Sequence, residues 1–285
     1  MVKKHRMMDA ETWRGNNGIQ HVFGDEFGDA ADGPKTDRDG YYNPSRVFGY
    51  GIAVPFDSEG YADIRVRLEE FDTEEHKEKK KVKIDTRKLP RRLQKWEAKR
   101  VARTARTFAY KVDKMDDLPY GWDLYTPAER MVAMTFFSIC DVLSYIDSLE
   151  VNFVFDQHTA LQTSWARAFI HDRVKRLSEE TGRRITFTTT RSSSGEYAHP
   201  LQVTDSVSFF SLEASERGRR HNAKKGRIAF RALDSSDSIW YDDLFDYSRA
   251  EKRPMVCKNR RGGVNPPGHG VTVSFECYKI SSNRR

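Results

Sequence analysis

The sequence predicts a mixed α/β domain in which helices cover a central sheet of parallel and antiparallel strands. Short apolar segments with strand-like alternation come first along the chain, and strand and helix patterns alternate after them. Consecutive strands favour antiparallel pairing, whereas a strand–helix–strand unit forms a right-handed parallel crossover. The 17 Phe, 12 Tyr and 5 Trp residues provide aromatic side chains for a core and argue against a disordered chain.

Three strands are expected in the first quarter of the chain. Ile19 and Phe23 lie on one side of an alternating segment that places the first strand at residues 18–24 and ends it in acidic residues. Segment 28–45 is rich in Asp, Gly and Pro, which predicts a loop. The other two strands are predicted at residues 46–56 and 62–71.

A long basic helix is expected next, at about residues 88–111. Pro90 suits a first helical turn, and no glycine or further proline follows before Tyr110. At about 100° per residue, apolar residues occupy one broad face of this helix and cations form a stripe on another. The basic stripe consists of Lys88, Arg92, Lys95, Lys99, Arg103 and Arg106.

The second half of the chain has clear helix boundaries. Thr126 and Glu129 form a capping box with Pro127 at the first helical position, which is a strong start signal. Gly182 is placed to close a later helix. The predicted helices are residues 126–148, 159–180 and 201–217, and the predicted strands are residues 150–155, 185–190 and 270–280.

We expect one folded domain with two flanking segments. Residues 1–17 are polar and predict an arm, residues 18–217 carry the strand and helix patterns, and residues 218–285 predict a basic extension packed on the same domain. Three widely spaced cysteines match no zinc site or disulfide framework and indicate reduced thiols in a cytoplasmic protein. No apolar run approaches the roughly 18–20 residues of a membrane helix, so no membrane partner is expected.

Positive charge is concentrated in one segment. The formal net charge is +7, and the segment from Glu74 to Lys111 alone contains 15 Lys and Arg against 5 Asp and Glu. A concentrated patch binds polyanions through its local field, and phosphate contacts position nucleic acid without reading its sequence. The basic stripe therefore predicts a nucleic-acid surface, DNA or RNA, and the alternative is the solvated face of a docked helix.

Four acidic residues stand at the predicted ends of core elements. Asp25 and Glu26 follow the first strand, Asp156 ends the strand at residues 150–155, and Asp205 lies near the start of the last core helix. From the order of the elements, we expect the first strand to lie beside the strand at residues 150–155, which brings Asp25 and Asp156 to one edge of the sheet. Carboxylates bind hard cations such as Mg²⁺, and paired cations activate water in phosphodiester hydrolysis. Three other roles remain open: Asp25 in a turn, Asp156 as a helix cap, and Asp205 as an exposed helix residue.

Three segments carry a family resemblance. Gly24-Asp25-Glu26-Phe27-Gly28-Asp29, Phe153-Val154-Phe155-Asp156 and Pro200-Leu201-Gln202-Val203-Thr204-Asp205 resemble the signatures of a ribonuclease-H-like family known as domain of unknown function thirty-eight hundred. The resemblance spans about residues 19–217. It implies three antiparallel strands followed by strand-helix-strand-helix. It also implies a Mg²⁺ or Mn²⁺ site at Asp25, Asp156 and Asp205, with Glu26 as a further catalytic residue.

Two departures from the family pattern bear on activity: Phe27 replaces the usual Ser, and Thr204 replaces the usual Ala. Ribonuclease-H-like sites often use a fourth acid, for which Glu97 and Glu129 are formal candidates. The leading prediction is a metal-dependent nuclease or phosphodiesterase of a defence or mobile-element system. The alternatives are a non-catalytic nucleic-acid-binding or assembly subunit with the same fold, and a protein-interaction subunit that binds its partners through the C-terminal extension.

Overall fold

A six-stranded mixed sheet lies at the centre of the structure. The computed structural model describes residues 18–31, 35–37, 40–42, 45–71, 85–115, 118–119, 122–192, 196–234, 237, 244 and 247–248. The strands of the central sheet are β1 (Ile19–Gly28), β4 (Val47–Pro55), β5 (Ala105–Asp113), β6 (Glu150–Asp156), β7 (Arg184–Thr190) and β8 (Ala229–Ala232). Their order is β7-β6-β1-β4-β5-β8. The β1–β4 and β4–β5 pairs are antiparallel and the other three pairs are parallel, which confirms the mixed α/β class.

Among the residues that the structure describes, six α-helices cover the two faces of this sheet. They are α1 (Ser58–Phe71), α2 (Arg91–Thr104), α3 (Pro127–Leu143), α4 (Ser164–Thr181), α5 (Ala198–Glu216) and α6 (Arg220–Lys225). One apolar cluster joins the sheet to α3 and α4, and a second joins its other face to α1, α2, α5 and α6. Among the described residues, no helix is long and apolar enough to cross a membrane.

The strand that carries Asp25 lies beside the strand that ends at Asp156, as predicted. β1 and β6 run parallel, with Ile19 opposite Glu150 and Gly24 opposite Phe155. β1 continues past the predicted end at residue 24 as far as Gly28, because these last residues pair with β4. Asp25 therefore lies within β1, and the prediction that it ends the strand is wrong.

The third strand predicted at residues 62–71 is wrong, because this segment belongs to α1. Ile64, Val66 and Leu68 alternate with charged residues and so resemble a strand. The buried positions of the folded chain are instead Tyr61, Ile64, Arg65 and Leu68, which repeat with helical spacing. The buried arginine breaks the apolar pattern from which the helix would otherwise have been identified.

The third strand of the sheet is β5, which begins inside the segment predicted as one basic helix over residues 88–111 and ends at Asp113. The helix α2 ends at Thr104, and the chain continues directly into β5. Buried and more exposed side chains alternate at the start of β5, from Ala105 onward. The β-branched and aromatic residues Thr107, Phe108 and Val112 are also typical of a strand. The junction contains no glycine or proline, so the sequence carries no helix-breaking residue to mark the end of α2.

The residues between β4 and β5 leave and rejoin the sheet at one point. Pro55 at the end of β4 is paired with Ala105 at the start of β5. The backbone N–H groups of Phe56 and Asp57 both donate to the carbonyl oxygen of Thr104, at 3.0 and 3.1 Å. The two helices α1 and α2 thus form an excursion, residues 56–104, whose ends are hydrogen-bonded to each other.

Several boundaries in the second half are confirmed. The capping box is formed in both directions, with Thr126 N–H donating to Glu129 Oε2 at 2.7 Å and Glu129 N–H donating to Thr126 Oγ1 at 3.3 Å. Gly182 ends α4 in the left-handed region, with φ of 67°. β6, β7 and α5 lie where strands 150–155 and 185–190 and helix 201–217 were predicted.

Two segments contain regular structure that the sequence patterns do not predict. The predicted loop 28–45 holds a two-stranded hairpin of β2 (Lys35–Asp37) and β3 (Gly40–Tyr42). The predicted extension begins with α6 and β8, and β8 extends the central sheet along β5. The arm 1–17 and the strand 270–280 lie outside the described residues. By its internal contacts the chain divides into residues 1–248 and 249–285, and the second unit contains no described residue.

Candidate functional site

Asp25 and Asp156 lie next to each other on the two parallel strands β1 and β6. They directly follow the registered pair Gly24 and Phe155. Side chains alternate between the faces of a sheet, and Phe23 and Val154 pack in the cluster on the α5 side. Both carboxylates therefore belong to the face that α5 covers. Asp25 is 5 % exposed, so this pair lies at the boundary of the core rather than on the open surface.

A glycine allows the close approach of β6 to β1 just before the two carboxylates. A Cβ atom at Gly24 would lie 2.6 Å from Cζ of Phe155, and no real Cβ atom makes such a contact. The Phe155 ring occupies that space instead and packs against Tyr50, with ring centroids 5.4 Å apart. This packing fixes the position of the β6 end that carries Asp156.

Asp156 is held by the turn that follows β7. Its Oδ2 accepts from the hydroxyl of Ser192 at 2.8 Å, and its Oδ1 accepts from the backbone N–H groups of Ser192 at 2.9 Å and Gln157 at 2.8 Å. The short helix at residues 159–162 is capped by His158, whose Nδ1 accepts from the N–H of Ala160 at 3.1 Å. Asp156 therefore does not cap this helix, which was the alternative role considered for it from the sequence.

Glu26 shares the electrostatic environment of these acids. Burial raises the pKa of Glu26, and the negative charge of Asp156 raises it further, whereas hydrogen bonding at the backbone, the charge of His158 and a hydrogen bond with Asp25 act in the opposite direction. Neighbouring carboxylates that cannot all ionise at low cost need a proton or a cation. Burial is the main reason that Glu26 holds its proton more tightly, and the charge of Asp156 adds to it.

The helix α5 is attached to β1 and to the turn after β7, on either side of Asp205. On one side, Gln202 Nε2 donates to the carbonyl oxygen of Ser192, whose hydroxyl binds Asp156, at 2.8 Å. On the other side, the Ser208 hydroxyl donates to the carbonyl oxygen of Asp25, also at 2.8 Å. Asp205 is three residues from each of these contacts. Residues three apart on a helix are neighbours, so Asp205 and Gln202 share one face of α5.

A second glycine lets α5 lie close to the sheet. A Cβ atom at Gly51 of β4 would lie 2.4 Å from the hydroxyl oxygen of Ser208 and 2.8 Å from its backbone nitrogen. The small side chains of Ser208, Ser211 and Thr204 on α5 are all buried. Close packing of this kind fixes the height of the helix above β1 and β4, and with it the position of Asp205.

A buried ion pair supports the same stretch of α5 from the opposite side. Arg65 of α1 and Glu97 of α2 are both fully buried, with Arg65 Nη2 3.1 Å from Glu97 Oε1. The same Nη2 donates to the carbonyl oxygen of Gln202 and to the hydroxyl of Ser206, and the Ser206 hydroxyl donates to Glu97. These contacts bracket Asp205 along the helix. Arg65 is absent from the predicted site residues, because the alternation over residues 62–71 predicts a strand with Arg65 on its polar side.

The two candidates for a fourth acid have structural partners. Glu129 completes the capping box of α3 and also accepts from the hydroxyl of Ser248. Glu97 pairs with Arg65, and burial is the main cause of its raised pKa, with the charge of Asp205 adding to it. Neither contact brings these two acids to the end of β6.

The donor chemistry at the end of β6 fits a hard cation, because carboxylate oxygens are the ligands that Mg²⁺ and Mn²⁺ prefer. Asp25 and Asp156 provide such oxygens on neighbouring strands, and Glu26 lies near enough to Asp25 for a hydrogen bond. Within the part of the chain that the structure describes, no group of three or more His, Cys, Asp or Glu side chains is arranged as a metal site. The metal set Asp25, Asp156 and Asp205 stays a prediction.

The basic stripe is divided between three elements. Arg92, Lys95, Lys99 and Arg103 lie on α2, and Lys88 lies on a short 3₁₀ helix at residues 86–88. Arg106 lies on β5, where its Nη1 donates to the carbonyl oxygen of Tyr145 at 3.4 Å. Its assignment to the helical stripe is wrong, because α2 ends two residues earlier.

Comparison with protein-family models finds no family that matches this chain, and comparison with curated proteins finds no match. The ribonuclease-H-like resemblance therefore depends on the three segments quoted above.

Proposed function

We propose that this protein is a divalent-metal-dependent nuclease with a ribonuclease-H-like fold, in which Asp25, Glu26, Asp156 and Asp205 form the catalytic site. The observation that carries the proposal is the parallel pairing of β1 with β6. This pairing brings Asp25 beside Asp156, and the contacts of Gln202 and Ser208 attach the Asp205 segment of α5 to the turn that holds Asp156 and to β1.

The strand order supports the ribonuclease-H-like assignment. Strands β1, β4 and β5 are antiparallel neighbours, and β6 and β7 follow in parallel on the other side of β1, each preceded by a helix. This is the arrangement that the resemblance implies. Three features are additional to it: the β2–β3 hairpin between the first and second strands, the α1–α2 excursion between the second and third strands, and β8 at the edge.

The chemistry divides between the metal and the chain. A bound Mg²⁺ or Mn²⁺ supplies the charge that activates water and stabilises the leaving oxygen in phosphodiester cleavage. Asp25, Asp156 and Asp205 would hold it through their carboxylate oxygens. Ser192 holds the carboxylate of Asp156 in a fixed orientation, and Glu26 is hydrogen-bonded with Asp25.

The test is a cleavage assay with labelled single-stranded and double-stranded DNA and RNA, in Mg²⁺, in Mn²⁺ or in chelator. We expect metal-dependent cleavage by the wild type and a loss of at least about a hundredfold in Asp156→Asn, which keeps the shape of the side chain. Asp147→Asn is the matched control, because Asp147 is exposed and precedes β6. Cleavage that is equal in both variants, or absent from the wild type with every substrate and metal, contradicts the proposal.

One observation favours a non-catalytic nucleic-acid-binding or assembly subunit instead. Phe27, which replaces the usual Ser, is 4 % exposed and lies two residues after Asp25, on the same face of β1. A Cβ atom at Gly49 would lie 2.7 Å from its Cζ, so the ring fills the space above β4. This position therefore offers no hydroxyl. Binding of nucleic acid without cleavage in any metal would favour this second function.

A further inference from the structure

A basic groove runs between α2, α5 and α6, on the face of the sheet that carries Asp25 and Asp156. Its volume is about 1030 Å³. The groove is defined here by Arg91 and Lys95 of α2 on one wall, Arg220 and Lys224 of α6 on the other, and Phe209 and Leu212 of α5 on the floor. Seven Arg and Lys side chains line it against one glutamate, Glu213.

The single acidic side chain in the groove is already neutralised. Glu213 Oε1 accepts from Arg217 at 2.6 Å, and its Oε2 accepts from Arg219 at 3.1 Å. The two walls are also joined below their cations, because Asn222 Nδ2 donates to Gln94 Oε1 at 3.4 Å. The groove is therefore held together by contacts between its walls, and its side chains carry a large excess of positive charge.

The cations of the two walls lie close enough to repel one another. The pKa of Lys225 on α6 is lowered by desolvation and by the charges of Lys99 and Lys95 on α2. The pKa of His221 is lowered mainly by the charge of Lys225, with desolvation and the charge of Lys95 adding to it. An anion between the walls relieves this repulsion, since it interacts favourably with both.

The floor of the groove continues from Asp205 along one face of α5. Asp205, Phe209 and Leu212 are spaced four and three residues apart, which places them on one side of the helix. At about 1.5 Å per residue, Phe209 lies about 6 Å and Leu212 about 10 Å along the helix axis from Asp205. A polymer lying in the groove thus extends along the helix that carries a proposed catalytic carboxylate.

We propose that this basic groove binds a single strand of nucleic acid and leads it to Asp205. The proposal rests on the proposed function and names its substrate class. Cations on both walls contact the phosphates, and the partly exposed ring of Phe209 offers a surface on which an unpaired base stacks. A duplex keeps its bases paired inside a stiff cylinder and has no group to place on this apolar floor.

The test measures binding by fluorescence anisotropy, in chelator so that no cleavage occurs. The probes are a labelled single-stranded DNA, a single-stranded RNA and a DNA hairpin duplex, each at several salt concentrations. Lys95→Glu combined with Lys224→Glu changes one exposed cation on each wall. The matched control, Arg167→Glu combined with Lys175→Glu, makes the same charge change at exposed positions of α4, on the other face of the sheet.

We expect the groove variant to bind single strands at least tenfold more weakly and to lose about 0.7 from the log–log salt slope for each phosphate contact removed. The control should keep most of the affinity, and Phe209→Leu should weaken single-strand binding without changing the salt slope. Equal losses in the groove and control variants, or tighter binding of the duplex, would overturn the proposal.

The two proposals fail in distinguishable ways. If the wild type binds single strands through the groove but cleaves nothing in Mg²⁺ or Mn²⁺, the nuclease proposal is wrong and the groove proposal stands. If the groove variant binds and cleaves like the wild type, the groove proposal is wrong and the nuclease proposal stands. Thermal melting of each variant checks that the exposed substitutions leave the fold intact.

Discussion

Replacing Arg65 by methionine should destabilise the protein by about 3–5 kcal/mol, the usual cost of removing one partner from a buried ion pair. The side chain of Arg65 is fully buried, and its guanidinium binds Glu97, the carbonyl oxygen of Gln202 and the hydroxyl of Ser206. The variant leaves the Glu97 carboxylate buried without its countercharge, and it removes the contacts that hold α1 against α5. The assay is equilibrium unfolding in urea.

The cost of Arg65→Met should depend on pH in a defined direction. Burial raises the pKa of Glu97 above its ordinary value of 4.5. At a pH between the ordinary pKa and the raised pKa, the folded state therefore binds more protons than the unfolded state. Its contribution to stability therefore falls as pH rises above 4.5. Loss of the Arg65 charge raises this pKa further, so the variant should lose more stability at pH 8 than at pH 5.

A double variant separates the ion pair from the packing around it. Arg65→Met combined with Glu97→Leu removes both charges, and replacing a buried ion pair by apolar residues is often neutral or stabilising compared with the intact pair. We expect the double variant to recover at least half of the lost free energy of unfolding. A cost below about 1 kcal/mol for Arg65→Met, the scale of an exposed pair, with no dependence on pH, would refute this reasoning.

Four further predictions concern the helix contacts and the acids. Gly51→Ala should cost about 1–3 kcal/mol in urea unfolding, because its Cβ would meet Ser208; a cost near zero would contradict the close packing of α5. In thermal melting, Thr126→Ala should lower the free energy of unfolding by about 1 kcal/mol, whereas Thr126→Ser should keep most of the wild-type stability. No loss in Thr126→Ala would mean that the capping box does not contribute. Glu26→Gln should gain stability relative to the wild type as pH rises from 5 to 8, because a raised pKa disfavours the charged form; equal pH profiles in urea would contradict this. Mg²⁺ at a hundred times Kd should stabilise the wild type by about 2.7 kcal/mol in thermal melting and Asp156→Asn by much less, and equal shifts would remove Asp156 from a metal site.

The elements predicted correctly from the sequence are those with explicit local signals. The capping box at Thr126 and the glycine at 182 give helix boundaries through hydrogen bonding and backbone conformation, which are properties of a few neighbouring residues. The apolar run that ends in Asp156 is short and bounded by polar residues, so β6 was also found. The adjacency of β1 and β6 followed from the order of the elements and is confirmed.

The errors arise where a tertiary contact overrides the local pattern. Arg65 is buried because Glu97 lies opposite it, and Glu97 is 32 residues away in sequence, so no local pattern indicates that α1 is a helix. β5 forms because it pairs with β4 and β8, whereas its sequence continues a helix without a break. The cations of Arg220 to Lys225 were visible as a basic segment, but their position opposite α2 depends on the way α6 packs.

The α1–α2 excursion has a consequence for the order in which the protein folds. Because its ends are hydrogen-bonded at Thr104, residues 56–104 behave as an insertion between two adjacent strands, and closing so long a loop carries an entropic cost. The β4–β5 pair is therefore a non-local contact, and contacts of this kind slow folding. In pulse-labelling hydrogen exchange, we expect amides of the β6–β7 pair, joined by the single helix α4, to gain protection before those of β5.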